Sequence, residues 1–228
     1  MKANLLILLL FFIINFSFAQ SFNEEKKSAE QGDVLAQFNL GVKYHKGIGT
    51  LTDKKKAFYW IKKSAVQGFS IAQYHVGDMY ETGEVILTDK KKAFYWFKKS
   101  AVQGYAEAQS KLGVMYNFGR GTLTDKKKAF YWFKKSAVQG EAEAQHNLGF
   151  MYYTGEGTLT DKNNAFYWIK KSAEQGFAEA QYFLGLIYYT GEGTLTDKKK
   201  AAFWIRKSYE NGFEKAKEYW DDNELYKY

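Results

Sequence analysis

Three histidines, His45, His75 and His146, are the only imidazoles in the chain. They are the first candidates for proton transfer or metal binding near neutral pH. Their spacing supports neither. No His-x-x-x-His pair puts two imidazoles on one helix face, the lone Glu143-x-x-His146 spacing has no second such motif to complete a site, and His75 and His146 lie 71 residues apart. No Gly-x-Ser-x-Gly elbow occurs, nor a Ser-x-x-Lys pair with its supporting motifs. Ser110 stands beside Lys111, but adjacent residues on a helix point apart. Gly-x-Gly loops such as Gly155-Glu156-Gly157 follow a helical pattern rather than a strand, so they are not dinucleotide cradles. The chain has no cysteine, which excludes disulfides, zinc–cysteine sites, iron–sulfur clusters and thiol catalysis. The expectation is a protein that is not an enzyme, with no catalytic residue, metal or cofactor.

What must position any other function is a repeat. Self-similarity runs at 36 residues, in units 28–63, 64–99, 100–135, 136–171 and 172–207. Ser-Ala-x-Gln-Gly opens these units, and five of the six tryptophans share one slot (Trp60, Trp96, Trp132, Trp168, Trp204). All twenty glycines fall into four slots, with Val85 the one exception in the last of them. A period of this length marks a solenoid or array. Each unit reads as two helices. Helix A spans about 33–46, with Ala36, Leu40 and Tyr44 on one stripe. Helix B spans about 54–67, capped by Asp53, and buries Ala57, Trp60, Ile61, Ser64 and Ala65. Gly41 lies inside helix A, where glycine costs about 1 kcal/mol against alanine. Its recurrence predicts a neighbouring backbone too close for a side chain. Tyr59 cannot share the face of Trp60, and is expected between successive B helices or in water.

Residues 20–32 read as an N-terminal capping half-helix, with Glu24 at the tryptophan slot. Residues 208–228 read as a C-terminal cap, its helix carrying Trp220 at the leucine slot and Asp221 at the glycine slot. Polar replacements suit faces that no further unit covers. Residues 1–19 read as a secretory signal peptide: Lys2, an apolar run from Leu5 to Ile14, then Ser17 and Ala19 before a small-residue cleavage site. An uncleaved anchor is the alternative, although the run is short of the roughly 20 residues of a membrane span. The expected location is periplasmic or extracellular.

The net charge of +8 hides a segregation. Segments 53–63, 89–99, 125–135 and 197–207 carry +4 each and 161–171 carries +2, which is +18 in all. Without residues 1–19, everything outside them carries −11. Such a helix-B ladder allows weak contact with an anionic surface, lipid head groups or acidic glycan. A solvated lysine face is the simpler reading and is preferred. Nucleic acid fits poorly, because an exported chain seldom meets it and the ladder is almost all lysine, with Arg206 its one arginine to read bases.

A 36-residue helix pair reading Ala36-Gln37-x-x-Leu40-Gly41-x-x-Tyr44, then Gly-x-Gly, then Asp53-x-x-Lys56-Ala57-x-x-Trp60 resembles the Sel1-like repeat family, relatives of tetratricopeptide repeats. The first motif recurs at 108–116, 144–152 and 180–188; Val76, Val85 and Asn164 are local departures. The resemblance implies an all-α fold, a right-handed superhelical α/α solenoid, acting as a protein- or peptide-binding scaffold. Some secreted members are described as cysteine-rich β-lactamases or penicillin-binding proteins. A secreted hydrolase of that type is therefore the alternative, opposed here by the lack of cysteine and of a catalytic constellation.

By similarity to tetratricopeptide helices, the slots that vary between repeats face a concave groove. They are Phe38, Val42 and His45; Tyr74, Asp78 and Glu81; Val114 and Asn117; His146, Phe150 and Tyr153; Tyr182, Leu186 and Tyr189. Leu35, Ile71 and Ser110 occupy the same set of slots. The resulting surface is aromatic, partly apolar and mildly acidic, which suits a peptide or protein loop. The competing reading is that these rings pack on the next helix A. On the groove reading, alanine at Tyr153 and Tyr182 keeps the fold and weakens partner binding.

Overall fold

The computed structural model describes residues 22–223 and 225–227. The expected signal segment 1–19 lies outside the described residues. Every described element is helical, and the chain divides into two compact units, Met1–Gln103 and Gly104–Tyr228. Unit 1 holds α1 (22–30), α2 (Val34–Lys46), α3 (Lys54–Val66), α4 (Ser70–Thr82) and α5 (Lys90–Val102). Unit 2 holds α6 (Ala106–Phe118), α7 (Lys126–Ala137), α8 (Ala142–Thr154), α9 (Lys162–Glu174), α10 (Ala178–Thr190), α11 (Lys198–Glu210), α12 (Glu214–Asp222) and a 3₁₀ turn at Leu225–Lys227. Each unit is an all-α solenoid of helix pairs.

Local chemistry sets the helix ends. Asp53 accepts the Lys56 amide at 2.9 Å and starts α3; Asp89, Asp125, Asp161 and Asp197 start the other B helices in the same way. Asp33 does this for α2. At the other end, Gly47 takes φ 71° and returns its N–H to the Lys43 carbonyl, a left-handed stop that a side chain would strain.

Each pair is antiparallel. The Asp53 N–H reaches the Tyr44 carbonyl at 2.9 Å, placing the start of α3 beside the end of α2. The Ser64 hydroxyl donates to the Val34 carbonyl at 2.7 Å, placing the end of α3 beside the start of α2. Glycine lets the two helices close on each other at the seam. A Cβ on Gly41 would lie 2.5 Å from Ile61 Cγ1 and 3.0 Å from the Ala57 carbonyl oxygen. In the next pair, and at Gly113, the obstacle is the Phe97 or Phe133 ring at 2.7–2.8 Å. The close approach is therefore made first by a large side chain of helix B, with its backbone just behind in some pairs.

The buried glutamines of the Ala-Gln motif are hydrogen-bond relays. Gln37 donates to the Ala29 carbonyl at 3.1 Å and accepts from Gln67 at 2.8 Å, so α1, α2 and α3 are tied through one side chain. Gln73 ties α3, α4 and α5. In unit 2, Gln145 and Gln181 repeat the arrangement, the latter with Asn211. A buried amide so paired avoids the penalty of an unsatisfied polar group.

The ends close these stacks with their own contacts. Phe22 meets the Tyr44 ring edge-on at 5.5 Å, and Glu25 pairs with Lys43 at 2.6 Å. Residues 208–210 continue α11, and the terminal helix itself is the short α12. Leu225, in the 3₁₀ turn, is fully buried with Ala202, Ile205 and Ala216. The one glycine exception is a structural exception too. Val85 packs on the cluster of Ile61, Val76, Met79 and Trp96, whereas Gly157 and Gly193 take φ of 73° and 80° against the backbones of Lys126 and Lys162.

Candidate functional site

The variable slots lie on the helix-A face, away from the glycine seam. In unit 1 four of them come together. Phe38, Val42, His45 and Asp78 line a hollow of about 490 Å³ with Lys46, Ile61, His75, Met79 and Glu84. Phe38 sits 5.3 Å from the Phe69 ring and 5.4 Å from His75. Burial holds the His75 pKa below its usual value, partly opposed by Asp78. Glu84 is 2.6 Å from the Lys54 ammonium and 3.8 Å from His45, and its carboxyl titrates below the usual range because of Lys54. The hollow thus has an apolar floor and a rim carrying both charges. Tyr74 stands beside it against His75 and Phe97, and the Glu81 carbonyl receives the Lys90 ammonium at 2.7 Å.

Unit 2 organises its slots differently. Phe183, which has no counterpart among the expected site residues, gathers His146, Phe150 and Tyr153 at ring distances of 6.4, 5.7 and 4.9 Å. The same slot is Asn39, His75, Lys111 and Asn147 elsewhere, so a lone aromatic at a polar slot was the signal available. His146 also packs on Phe177 at 5.3 Å, and burial lowers its pKa to about 4. It is therefore a neutral imidazole at neutral pH. Phe150 remains 43% exposed. Tyr153 carries the Lys162 ammonium over its ring, and Lys162 pairs with Glu192 at 2.7 Å. Asn117 accepts from Lys126 at 2.7 Å, and Val114 and Leu186 are half-buried. Phe118, 62% exposed at the end of α6, is a second aromatic outside the expected set; Arg120 lies 5.3 Å from its ring.

Tyr182 and Tyr189 point to a different role. Tyr182 packs on Phe213 and Tyr219, and Tyr189 on Tyr219, so both help seat α12. Alanine at Tyr153 and Tyr182 would remove packing as well as surface. Phe150 and Asp78 are the cleaner probes of this face.

On the helix-B face, Tyr59 is about half exposed and lies against Trp60 with the Lys63 ammonium near both rings. This group recurs along the chain, for example at Tyr131, Trp132 and Lys135, with Phe203 in place of the tyrosine in the last repeat. A hollow of about 550 Å³ over α3 is built mainly from these repeated positions, so it distinguishes no particular partner. Among the described residues no group of three or more histidines and carboxylates is placed to hold a metal ion.

The comparisons with known proteins agree with this architecture. No curated protein sequence matches the chain significantly. A protective antigen of uropathogenic Escherichia coli with an SLR fold is 36% identical with a TM-score of 0.80 over 86% of this chain. The chain spans only 42% of that antigen's length. A Sel1 repeat protein from Oxalobacter formigenes is 31% identical with a TM-score of 0.76, covering 88% of this chain and 85% of its own. The Sel1 repeat model matches residues 34–69, 70–105, 106–141, 142–177 and 178–213, the same 36-residue period opened at helix A. With five matched repeats, helix pairs joined by the same seam, and this structural likeness, the chain belongs to the Sel1 repeat family.

Proposed function

We propose that the chain is an exported, non-catalytic scaffold that binds a peptide or protein loop along its helix-A face. Repeats of this family commonly serve as protein-interaction scaffolds, and the helix-A face is where this chain departs from its own repeat. The observation that carries the reading is the hollow in unit 1, where Phe38 and Val42 lie beside His45, Asp78 and Glu84. An apolar floor with a charged rim is the pattern of a small recognition site: burial supplies affinity and the rim sets orientation. The half-exposed Phe150 offers a second anchor in unit 2. Export rests on Lys2, the apolar run from Leu5 to Ile14, and the Ser17/Ala19 cleavage pattern. One relative is a protective antigen, a description that agrees with export. No described helix is long and apolar enough to cross a membrane.

The test is selection of binding peptides from a displayed library on the immobilised protein, followed by titration against variants. Asp78→Lys or Phe150→Ala should weaken the selected peptides about tenfold, the effect of losing one anchor. Lys63→Ser, on the helix-B face, should leave them unchanged. Equal affinity for all three variants and the parent would remove the helix-A reading.

A further inference from the structure

The loops joining each helix A to its helix B carry a feature that neither stacking nor the helix-A face uses. Leu51 and Leu87 in unit 1 are 87% and 93% exposed. Leu123, Leu159 and Leu195 in unit 2 are 87%, 86% and 86% exposed. A single exposed leucine needs no explanation, because folded proteins leave much apolar surface in water. Here the same bare slot is leucine in every repeat, immediately before Thr-Asp and a lysine.

The lysines beside these leucines divide their work. The first of a run reaches the next loop: Lys54 to Glu84 at 2.6 Å, Lys126 to Glu156 at 2.8 Å, Lys162 to Glu192 at 2.7 Å. The third folds back on the capping aspartate, as Lys128 does on Asp125 at 2.9 Å. The middle lysines, Lys55, Lys91, Lys127 and Lys199, are exposed, and their ammonium groups have no ion-pair partner among the described residues. Four of the five loops therefore set an unpaired cation near a bare leucine. Within unit 2 the three loops lie side by side, since the Lys126–Glu156 and Lys162–Glu192 pairs bridge successive loops. Gly157 and Gly193 press against the backbones of Lys126 and Lys162 on the same edge. In unit 1 the Lys54–Glu84 pair joins its two loops in the same way.

We propose that the leucine-and-lysine loop edge of each unit docks on an anionic lipid bilayer. The leucines enter the interfacial layer and the unpaired lysines meet head-group charge. Apolar burial and electrostatic attraction together are what hold a peripheral protein on such a surface, and neither alone suffices at this size. Charge complementarity favours an anionic partner. The leucines then separate the candidates. An acidic glycan offers aliphatic side chains nothing to enter, and an acidic protein would have to match the spacing of the loops. A fluid bilayer meets every identical loop without a register. The proposal is independent of the helix-A reading.

The test is hydrogen exchange on the full chain, with and without vesicles of phosphatidylcholine alone or phosphatidylcholine with phosphatidylglycerol. Exchange is read segment by segment, so any contribution of the apolar N-terminal run is seen separately. Segments 48–56, 84–92, 120–128, 156–164 and 192–200 should be protected by the anionic vesicles and much less by the neutral ones. A variant with all five leucines changed to serine (L51S, L87S, L123S, L159S, L195S) should keep the parent melting curve, because these side chains contact little. Its vesicle affinity, from co-sedimentation, should fall more than about tenfold, the scale of apolar burial lost. Loops that exchange equally with and without anionic vesicles would overturn the proposal, as would equal protection by neutral and anionic vesicles. A leucine variant that binds like the parent would overturn it too.

Discussion

The seam between helices A and B and the outer face of helix A belong to the same helices but follow opposite rules. At the seam the same bond recurs at nearly the same length. The serine hydroxyl donates to a carbonyl thirty residues earlier at 2.6–2.7 Å in all five pairs, from Ser64 to Ser208. On the outer face one contact recurs, from the slot of Phe38 to the ring 31 residues later (Phe38–Phe69, His146–Phe177, Tyr182–Phe213), but the side chains that make it change. Phe38 stacks near His75, Asn117 takes a lysine, and Phe183 gathers three rings. A solenoid's stability is a sum of repeat and neighbour terms, so each copy of the seam is held to the same geometry. The outer face also touches the next copy, but through side chains that differ from repeat to repeat, so it is free to carry recognition.

Changes at the seam, and at a face slot that packing has enclosed, should therefore cost far more than changes at the exposed positions of the face. The largest effect is expected for Gly113→Val, which drives a branched side chain into the Phe133 ring lying 2.7 Å from the position of a Cβ. Overpacking of this kind costs about 3 kcal/mol, read as a lower urea midpoint. Next comes the buried His146, whose folded-state pKa of about 4 lies below its ordinary value of 6.5. Below pH 6.5 the unfolded chain binds a proton that the folded chain refuses until about pH 4, so stability falls across that window as the pH is lowered. The loss is about 2 kcal/mol by about pH 5, and the His146→Phe variant should show a correspondingly flatter dependence. A parent and variant with parallel pH curves would place this imidazole in water, not among Phe177 and Phe183.

Ser136→Ala should cost about 1 kcal/mol, the net value of one buried hydrogen bond. Its hydroxyl donates to the Ala106 carbonyl at 2.7 Å. Phe150→Ala should change stability least, by under about 0.5 kcal/mol, since much of the ring is in water. If Phe150→Ala destabilised the fold more than Ser136→Ala, the division between seam and face would fail.

The expected helices matched the observed ones to within a residue or so, because their limits rest on local chemistry. Asp53 can cap and Gly47 can turn left-handed wherever they stand in the fold. The interior glycines were legible as a close approach, but not what approached: that Ile61 or Phe97 fills the space depends on the partner helix. The candidate site was legible only as a set of slots. Phe38, Val42, His45 and Asp78 converge because two successive A helices bring residues 33–40 positions apart into one hollow. Tyr182 and Tyr189, of the same slots, are taken up instead by α12. Leu225 was hidden because burial of a single residue in a short turn leaves no period to read.

By itself, then, the sequence determined the repeat, its helix pairs, their caps and the segregation of lysine onto helix B. These follow from periodicity and from groups that act on their immediate neighbours. Only the tertiary structure decided which variable aromatics are spent on packing, which lysines are neutralised by the next loop, and which leucines are left bare. Each of those outcomes depends on what the adjacent repeat places within a few ångströms, and spacing along one chain does not record that distance.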